Sequence, residues 1–304
     1  ELNDTLNNYE VLKKRGKITF VYAVKDDQIY VNLFIPTTST FKVGKRDITI
    51  TQTGNMPWEG LTEITVAPAK RSTFSVKVRI PGWAREEAAP DNELYCFKDK
   101  SAKKTVVKVN GQSVPIQLDK GYLTIHREWR KGDKITVNFP LEVRRVACNT
   151  KVTANLDKVA LQRGPIVYCS EGIDFREPRI LDILLPDTAA ISCKMDTLLN
   201  GMITLHAKAY HTQRDSTGQT NLADRIDFKA IPYYAWAQRK PSPMLMWYAT
   251  TKDAAKPKPA ATIANLSKVD GSVNNMSIEA IRDQLLPAGS NLSLIHISEP
   301  TRHA

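Results

Sequence analysis

Long apolar runs are missing from this sequence: it has no stretch of the roughly 18 consecutive apolar residues that a membrane-spanning helix requires. No transmembrane segment is expected. The N-terminus, Glu1-Leu2-Asn3-Asp4, has neither a basic n-region nor an apolar h-region, and there is no initiator Met. The chain is therefore expected to begin partway into a longer protein. Cysteine is scarce, and Cys96, Cys148, Cys169 and Cys193 form no C-x-x-C pair and no Cys/His cluster of zinc-site spacing. No metal site is expected. Cys148 and Cys169 lie in or beside apolar strand-like runs, where a buried free thiol is the commoner occupant, but their disulfide state and redox compartment stay open. Sustained helical repeats are also lacking before residue 270.

Both signs of charge are present. The net charge of +11 invites a polyanion partner, yet residues 1–150 hold 25 Lys/Arg against 17 Asp/Glu and the remainder 18 against 15, interleaved throughout. The densest basic cluster, Lys13-Lys14-Arg15-Gly16-Lys17, is short. A solvated surface is expected, with no nucleic-acid and no membrane partner.

What the chain does have is alternation. In Phe74-Ser75-Val76-Lys77-Val78-Arg79-Ile80 and in Lys134-Ile135-Thr136-Val137-Asn138-Phe139, apolar and polar residues fall on opposite faces, as in half-buried strands. Phe20 to Val24 and Gln28 to Ile35 flank Lys25-Asp26-Asp27 as a hairpin would, and Asn110-Gly111 is a tight-turn signal. Further strands are expected at 48–53, 63–66, 106–109, 121–125 and 143–147, then at 202–209, 226–230, 233–237 and 244–248; 182–185 and 195–199 are ambiguous. The fold class read from this pattern is all-β, with two consecutive antiparallel β-sandwich domains at 20–150 and 151–250. Residues 1–19 carry no clear pattern. Lys252 to Ala261 has extended linker composition, giving a linker at 251–263. Residues 264–291 read as the truncated start of another domain, with one short helix from Ser277. Residues 292–304 read as an adapter-like tail with no part in the fold.

Between the two halves lies Val159-Ala160-Leu161-Gln162-Arg163-Gly164-Pro165-Ile166-Val167-Tyr168. Gly can take backbone angles closed to other residues and Pro fixes its own φ, so the chain must bend here. The bend reads equally as a hinge or, through Arg163, as part of a site.

Several ordered motifs carry a resemblance. They are Val21 to Phe34, Met56-Pro57-Trp58-Glu59-Gly60, Arg79-Ile80-Pro81-Gly82-Trp83-Ala84, Val107 to Gly111, Gly121-Tyr122, Trp129 to Asp133, Arg163 to Cys169 and Ile231 to Ala237. Together they resemble the β-L-arabinofuranosidase family, glycoside hydrolase family 127 and its relative family 146, over about residues 20 to 250. The resemblance implies a bacterial enzyme whose helical (α/α) barrel carries the catalysis and is followed by two β-sandwiches. It also implies a nucleophilic Cys in a Cys-Cys pair upstream of the first sandwich, held with another Cys and a Glu on zinc, and a further Glu as acid/base. The 19 residues before Phe20 contain no Cys, and no adjacent pair exists anywhere. So no catalytic residue and no metal ligand carry over, and no cofactor is expected in this fragment. The implied partners are the barrel of the same parent chain and plant cell-wall glycans, in an extracellular or periplasmic setting. Residues 264–291 resemble the opening of a discoidin-like carbohydrate-binding sandwich.

Each candidate site residue also has an ordinary structural role open to it. Glycoside hydrolysis needs two carboxyl groups flanking the scissile bond, and Glu171 and Asp174 are the best placed here, although as a turn after a strand they read more simply as surface acids. His126, His206 and His211 share no ligand spacing. Trp236 and Trp247 lie in apolar strands and read as core, whereas Trp58 and Trp83 sit beside Pro/Gly turns, where an aromatic face could meet a sugar or the barrel. Arg163, Gly164 and Pro165 are expected to be structural, with Arg163 hydrogen-bonding across the seam between domains. Two functions follow: a non-catalytic accessory region of an arabinose-releasing glycosidase, or a stand-alone carbohydrate-binding module using Trp58 and Trp83. The first expects an apolar patch on one sandwich face.

Overall fold

The computed structural model describes residues 21–89, 93–176 and 179–257. The N-terminal stretch 1–19, the later part of the linker, the region 264–291 with its helix, and the tail 292–304 lie outside the described residues. Strands are numbered in chain order.

The first sheet runs β1 (Tyr22–Lys25), β2 (Gln28–Val31), β6 (Ser72–Arg79), β11 (Tyr122–Trp129), β10 (Leu118–Asp119) from edge to edge. The second runs β3 (Thr37–Val43), β4 (Arg46–Gly54), β5 (Leu61–Pro68), β12 (Asp133–Asn138), β8 (Val106–Val109), β9 (Gln112–Ser113). All pairings within these sheets are antiparallel except β2 with β6. Alternation explains the sandwich. Ile29, Val31, Val76, Val78, Leu123 and Ile125 from the first sheet and Ile48, Ile50, Ile64, Val66, Ile135 and Val137 from the second form one buried cluster, each at every second position of its strand. Trp129 fills one end, fully buried, with its indole N–H donating to the Phe74 carbonyl at 3.0 Å.

The third sheet contains β20 (Met244–Leu245), β15 (Ile166–Glu171), β19 (Thr220–Pro232), β18 (Met202–Arg214), β16 (Ile183–Leu184), β21 (Tyr248–Ala249), β14 (Lys158–Arg163), β13 (Val143–Cys148) and β7 (Tyr95–Phe97), with β17 (Ser192–Asp196) beside β18. One flank of β14 carries β13. The other is shared, by β15 at Leu161–Arg163 and by β21 at Lys158 and Val159. The path from β14 through β15, β19, β18, β16 and β21 therefore returns to β14, so this sandwich closes on itself and protects the edges of its longer strands. Leu161, Tyr168, Ile183, Leu205, Phe228 and Tyr248 fill it. β16 and β21 pair in parallel. Through β7, residues from the loop after β6 join the same sheet.

Some strand expectations change. Tyr233–Ala235 is a 3-10 turn, not a strand: β19 ends at Pro232, which has no N–H for the ladder, and Trp236 N–H closes the turn on the Tyr233 carbonyl at 3.1 Å. β3, β7 and β17 were not foreseen. They lie at sheet margins with largely exposed or half-buried side chains, and so lack the apolar alternation that marks a strand in sequence. Residues 252–257 are not extended. Lys256 N–H donates to the Leu181 carbonyl at 3.1 Å and Ala255 is buried, so this part of the linker packs as a turn.

The four cysteines are free, with Cys96 and Cys193 exposed, Cys148 half-buried and Cys169 buried. Burial pushes the Cys169 thiol up to about 12, with the carboxylates of Glu171 and Asp174 adding to the shift. At pH 8 a thiol reagent is expected to modify Cys96 and Cys193 in the native chain and Cys169 only after denaturation; rapid native labelling of Cys169 would show that this sheet opens. Trp129→Ala is expected to cost about 3–5 kcal/mol, read as a lower midpoint in urea, by removing the largest side chain of the first core.

Candidate functional site

The Arg163-Gly164-Pro165 bend is the tip of a β-hairpin within the third sheet. Arg163 pairs with Ile166, so Gly164 and Pro165 form a two-residue turn joining β14 to β15. It is not a hinge between sheets. Gly164 has φ +58, and a Cβ there would stand 2.5 Å from Leu141 Cδ2, so both backbone angle and space require glycine. Gln162 braces the tip from inside, its side-chain amide donating to the Gly164 carbonyl at 2.9 Å.

This tip presses on loops of the first sandwich. Arg163 donates to the carbonyls of Pro57 at 3.3 Å and Trp58 at 3.1 Å, both in the loop between β4 and β5. Trp83, in the 3-10 turn Gly82–Arg85 after β6, packs its ring on Phe139 at 5.4 Å and borders Gly164. Trp58 reaches the other way. It packs against a small cluster of the closed sandwich built on Cys169, Met202, Ile231 and Ala235, with its ring 6.5 Å from that of Tyr234. The void bordered by Trp83, Gln162 and Gly164 is only about 10 Å³, room for one water at most. Nearby, Arg144 lies over the Phe97 ring at 4.1 Å and donates to Glu86 at 2.8 Å; this hydrogen bond holds the Glu86 carboxyl below its usual range.

Two grooves flank the tip. One of about 410 Å³ includes Trp58, Glu59, Lys103 and Arg163 in its wall. The other, of about 540 Å³, is apolar, with Leu33, Ile35, Met56, Trp83, Pro165 and Val167 in its lining. Trp58 and Trp83 are thus each half-buried in the seam and each border one groove. Sequence reasoning missed Leu33 and Ile35, which it placed in a strand; β2 ends at Val31, and the irregular stretch after it turns both side chains toward solvent.

Glu171 and Asp174 are neither surface acids nor accessible ones. Glu171 is fully buried. Its carboxylate accepts the Ala237 N–H at 3.0 Å and Arg239 Nε at 3.1 Å, and Arg239 also donates to Asp174 at 2.8 and 2.6 Å. Lys229 lies 3.5 Å from Asp174 and 3.0 Å from Asp196. Carboxylates sealed among cations and backbone donors cannot flank a sugar ring, so they serve the fold. Arg239, in Gln238-Arg239-Lys240, carried no sequence signal, because nothing there distinguishes a buried guanidinium from a surface one. The histidines are scattered: His126 meets Ser75 at 3.0 Å, His206 meets Thr204 at 2.9 Å, and buried His211 meets Asp182 at 3.2 Å. Among the described residues no group of three or more His, Cys, Asp or Glu is placed to hold a metal ion. Arg239→Met leaves Glu171 buried without its counter-charge and is expected to cost about 3–5 kcal/mol, read by thermal melting; an unchanged melting temperature would mean the cluster is solvated in solution.

Comparison with known proteins agrees with this architecture. Residues 28–141 match the family model "Beta-L-arabinofuranosidase, GH127 middle domain", and residues 143–249 match "Glycoside hydrolase family 127 C-terminal domain". The non-reducing end β-L-arabinofuranosidase of Bifidobacterium longum subsp. longum is 28% identical over 240 residues, which is 73% of this chain and 33% of that protein. Among solved structures, the GH127 β-arabinofuranosidase BT3674 is 36% identical with a TM-score of 0.73, over 79% of this chain and 37% of that one. Ara127N-Se, a GH127 β-L-arabinofuranosidase from Geobacillus stearothermophilus T6, is 30% identical with a TM-score of 0.66, over 76% and 35%. The chain spans about a third of the length of these relatives. With the two domain models meeting at the base of β13, beside the seam that the hairpin tip closes, the chain belongs to glycoside hydrolase family 127 and carries its middle and C-terminal domains.

Proposed function

We propose that this chain is the non-catalytic accessory region of a bacterial glycoside hydrolase that cleaves β-L-arabinofuranosides in plant glycans, acting outside the cytosol. The observation that carries the reading is the sealing of Glu171 and Asp174: the best placed carboxyl pair in the chain is locked into a buried ion cluster. Chemistry then falls to the part of the family polypeptide outside this chain. The closed sandwich and the seam supply a rigid support for it, with Arg163, Gly164 and Pro165 as structural elements of that support.

The other reading, a stand-alone carbohydrate-binding module, needs a flat, open aromatic platform. Trp83 is packed on Phe139, and Trp58 leans on the cluster that holds Trp236 and Met244, so neither ring offers a free face of that kind. The discriminating experiment uses the purified chain in two assays. Incubated with an aryl β-L-arabinofuranoside it is expected to release no arabinose, and turnover above the buffer blank would overturn the accessory reading. In affinity electrophoresis its mobility is expected to be the same with and without arabinan; retardation removed by Trp58→Ala or Trp83→Ala would establish the module instead.

A further inference from the structure

The apolar groove beside the hairpin tip has no occupant within the described chain. Leu33 and Ile35 are each 39% exposed on its lip, and Met56, Trp83, Pro165 and Val167 continue the wall. Apolar side chains gathered in one concavity mark a contact surface, whereas singly scattered ones do not. The charged residues of its lining are Arg79 and Glu87.

The position of the groove identifies what covers it. The carbonyl of Val21, the first described residue, accepts hydrogen bonds from the N–H groups of Asn32 at 2.8 Å and Leu33 at 3.4 Å. Asn32 and Leu33 themselves line the groove, so the polypeptide comes into the first sandwich at the groove's lip. The matched family domains are the middle and C-terminal ones, and the relatives are about three times as long as the part matched. A middle domain has family polypeptide before it, and the first described residue, Val21, lies beside this apolar surface. We infer that the groove formed by Leu33, Ile35, Met56, Trp83, Pro165 and Val167 is the docking socket for the catalytic part of the parent polypeptide that precedes the middle domain. This rests on the accessory reading and names its partner surface. The socket is built from both sandwiches, with Pro165 and Val167 coming from the closed one. Docking there fixes the orientation of the catalytic part to the seam, not to one sandwich alone.

A second groove, of about 670 Å³, borders the same Gly82–Arg85 turn through Ala84 and Arg85 but exposes Val106, Ile116 and Leu118, which are absent from the first groove and serve as the internal control. The test is hydroxyl-radical footprinting of the 304-residue chain alone and of the longer natural polypeptide that contains it. Labelling of Leu33, Ile35 and Met56 is expected to be strong in the chain alone and to fall several-fold in the longer polypeptide, with Ile116 and Leu118 labelled alike in both. Equal labelling of Leu33 and Ile35 in both proteins overturns the inference. So does protection already present in the chain alone: it would mean that residues 1–20 fill the groove or, if the protection grows with concentration, that a second copy does. The double variant Leu33→Asp/Ile35→Asp gives a second readout. Its melting temperature is expected to match that of the parent sequence in the isolated chain and to drop in the longer polypeptide; no drop in the longer polypeptide counts against docking. Hydrolysis separates the two claims. A longer polypeptide that protects the groove yet releases no arabinose would sink the accessory reading and leave the docking surface standing.

Discussion

Arg163 directs its guanidinium at two backbone carbonyls, those of Pro57 and Trp58, which belong to a loop more than a hundred residues earlier in the chain. A loop between two strands cannot satisfy all of its carbonyls internally, and an unpaired one left in a closed seam costs the desolvation of a backbone group. A charged donor that reaches both removes that cost while holding the loop in one position. The contact works only because the residue after it is glycine: with any side chain at position 164, Leu141 would be displaced and the tip would back away from the carbonyls. Arginine and glycine therefore act as a unit. Neighbouring contacts of the seam surround the seated tip, from Trp83 on Phe139 to Arg144 on Glu86.

The closed sandwich explains why that tip is a firm anchor. β14 has a partner along both flanks, with β13 on one side and β15 and β21 dividing the other. A strand held on both sides transmits force to its hairpin turn with little give. The same sandwich contains the ion cluster of Glu171, Asp174, Arg239 and Lys229, which ties the segment after the 3-10 turn Tyr233–Ala235 to the end of β15. Burying such a cluster costs desolvation, and hydrophobic residues of equal volume would often hold as well. Its effect is positional: a guanidinium with two carboxylates accepts one geometry, and Trp236 and Ala237 are fixed beside Trp58 by it.

The seam, the closed sandwich and the apolar groove adjoin one another, with Arg163 and Pro165 of the hairpin tip bordering grooves on either side. The groove draws its wall from both domains. Whatever seats in it bridges the seam and adds to the contacts that hold the domains together, a linkage in which docking and domain stability reinforce each other.

Much of the all-β architecture was legible in the residues, because a strand half-buried in a sandwich must alternate and a two-residue register is written directly into the order of Val, Ile, Thr and Lys. The long strands β4, β5, β6, β11 and β12 are of this kind, and Asn110-Gly111 announced its turn. Glycine and proline announced the bend at 164 and 165 for the same local reason. Strands at the margins, β3, β7 and β17, were silent, since an edge exposed to water places no demand on the side chains that form it. The function of the bend was also out of reach: local backbone rules say that the chain turns, not whether the turn is a hinge or a hairpin tip. Only the tertiary structure set Arg163 against Pro57 and Trp58, buried Glu171 beneath Arg239, and brought Leu33 and Ile35 together with Pro165 and Val167. Each of these pairs residues far apart in the chain, and no alternation or spacing along a sequence encodes which distant carbonyl, cation or methyl group a side chain will meet.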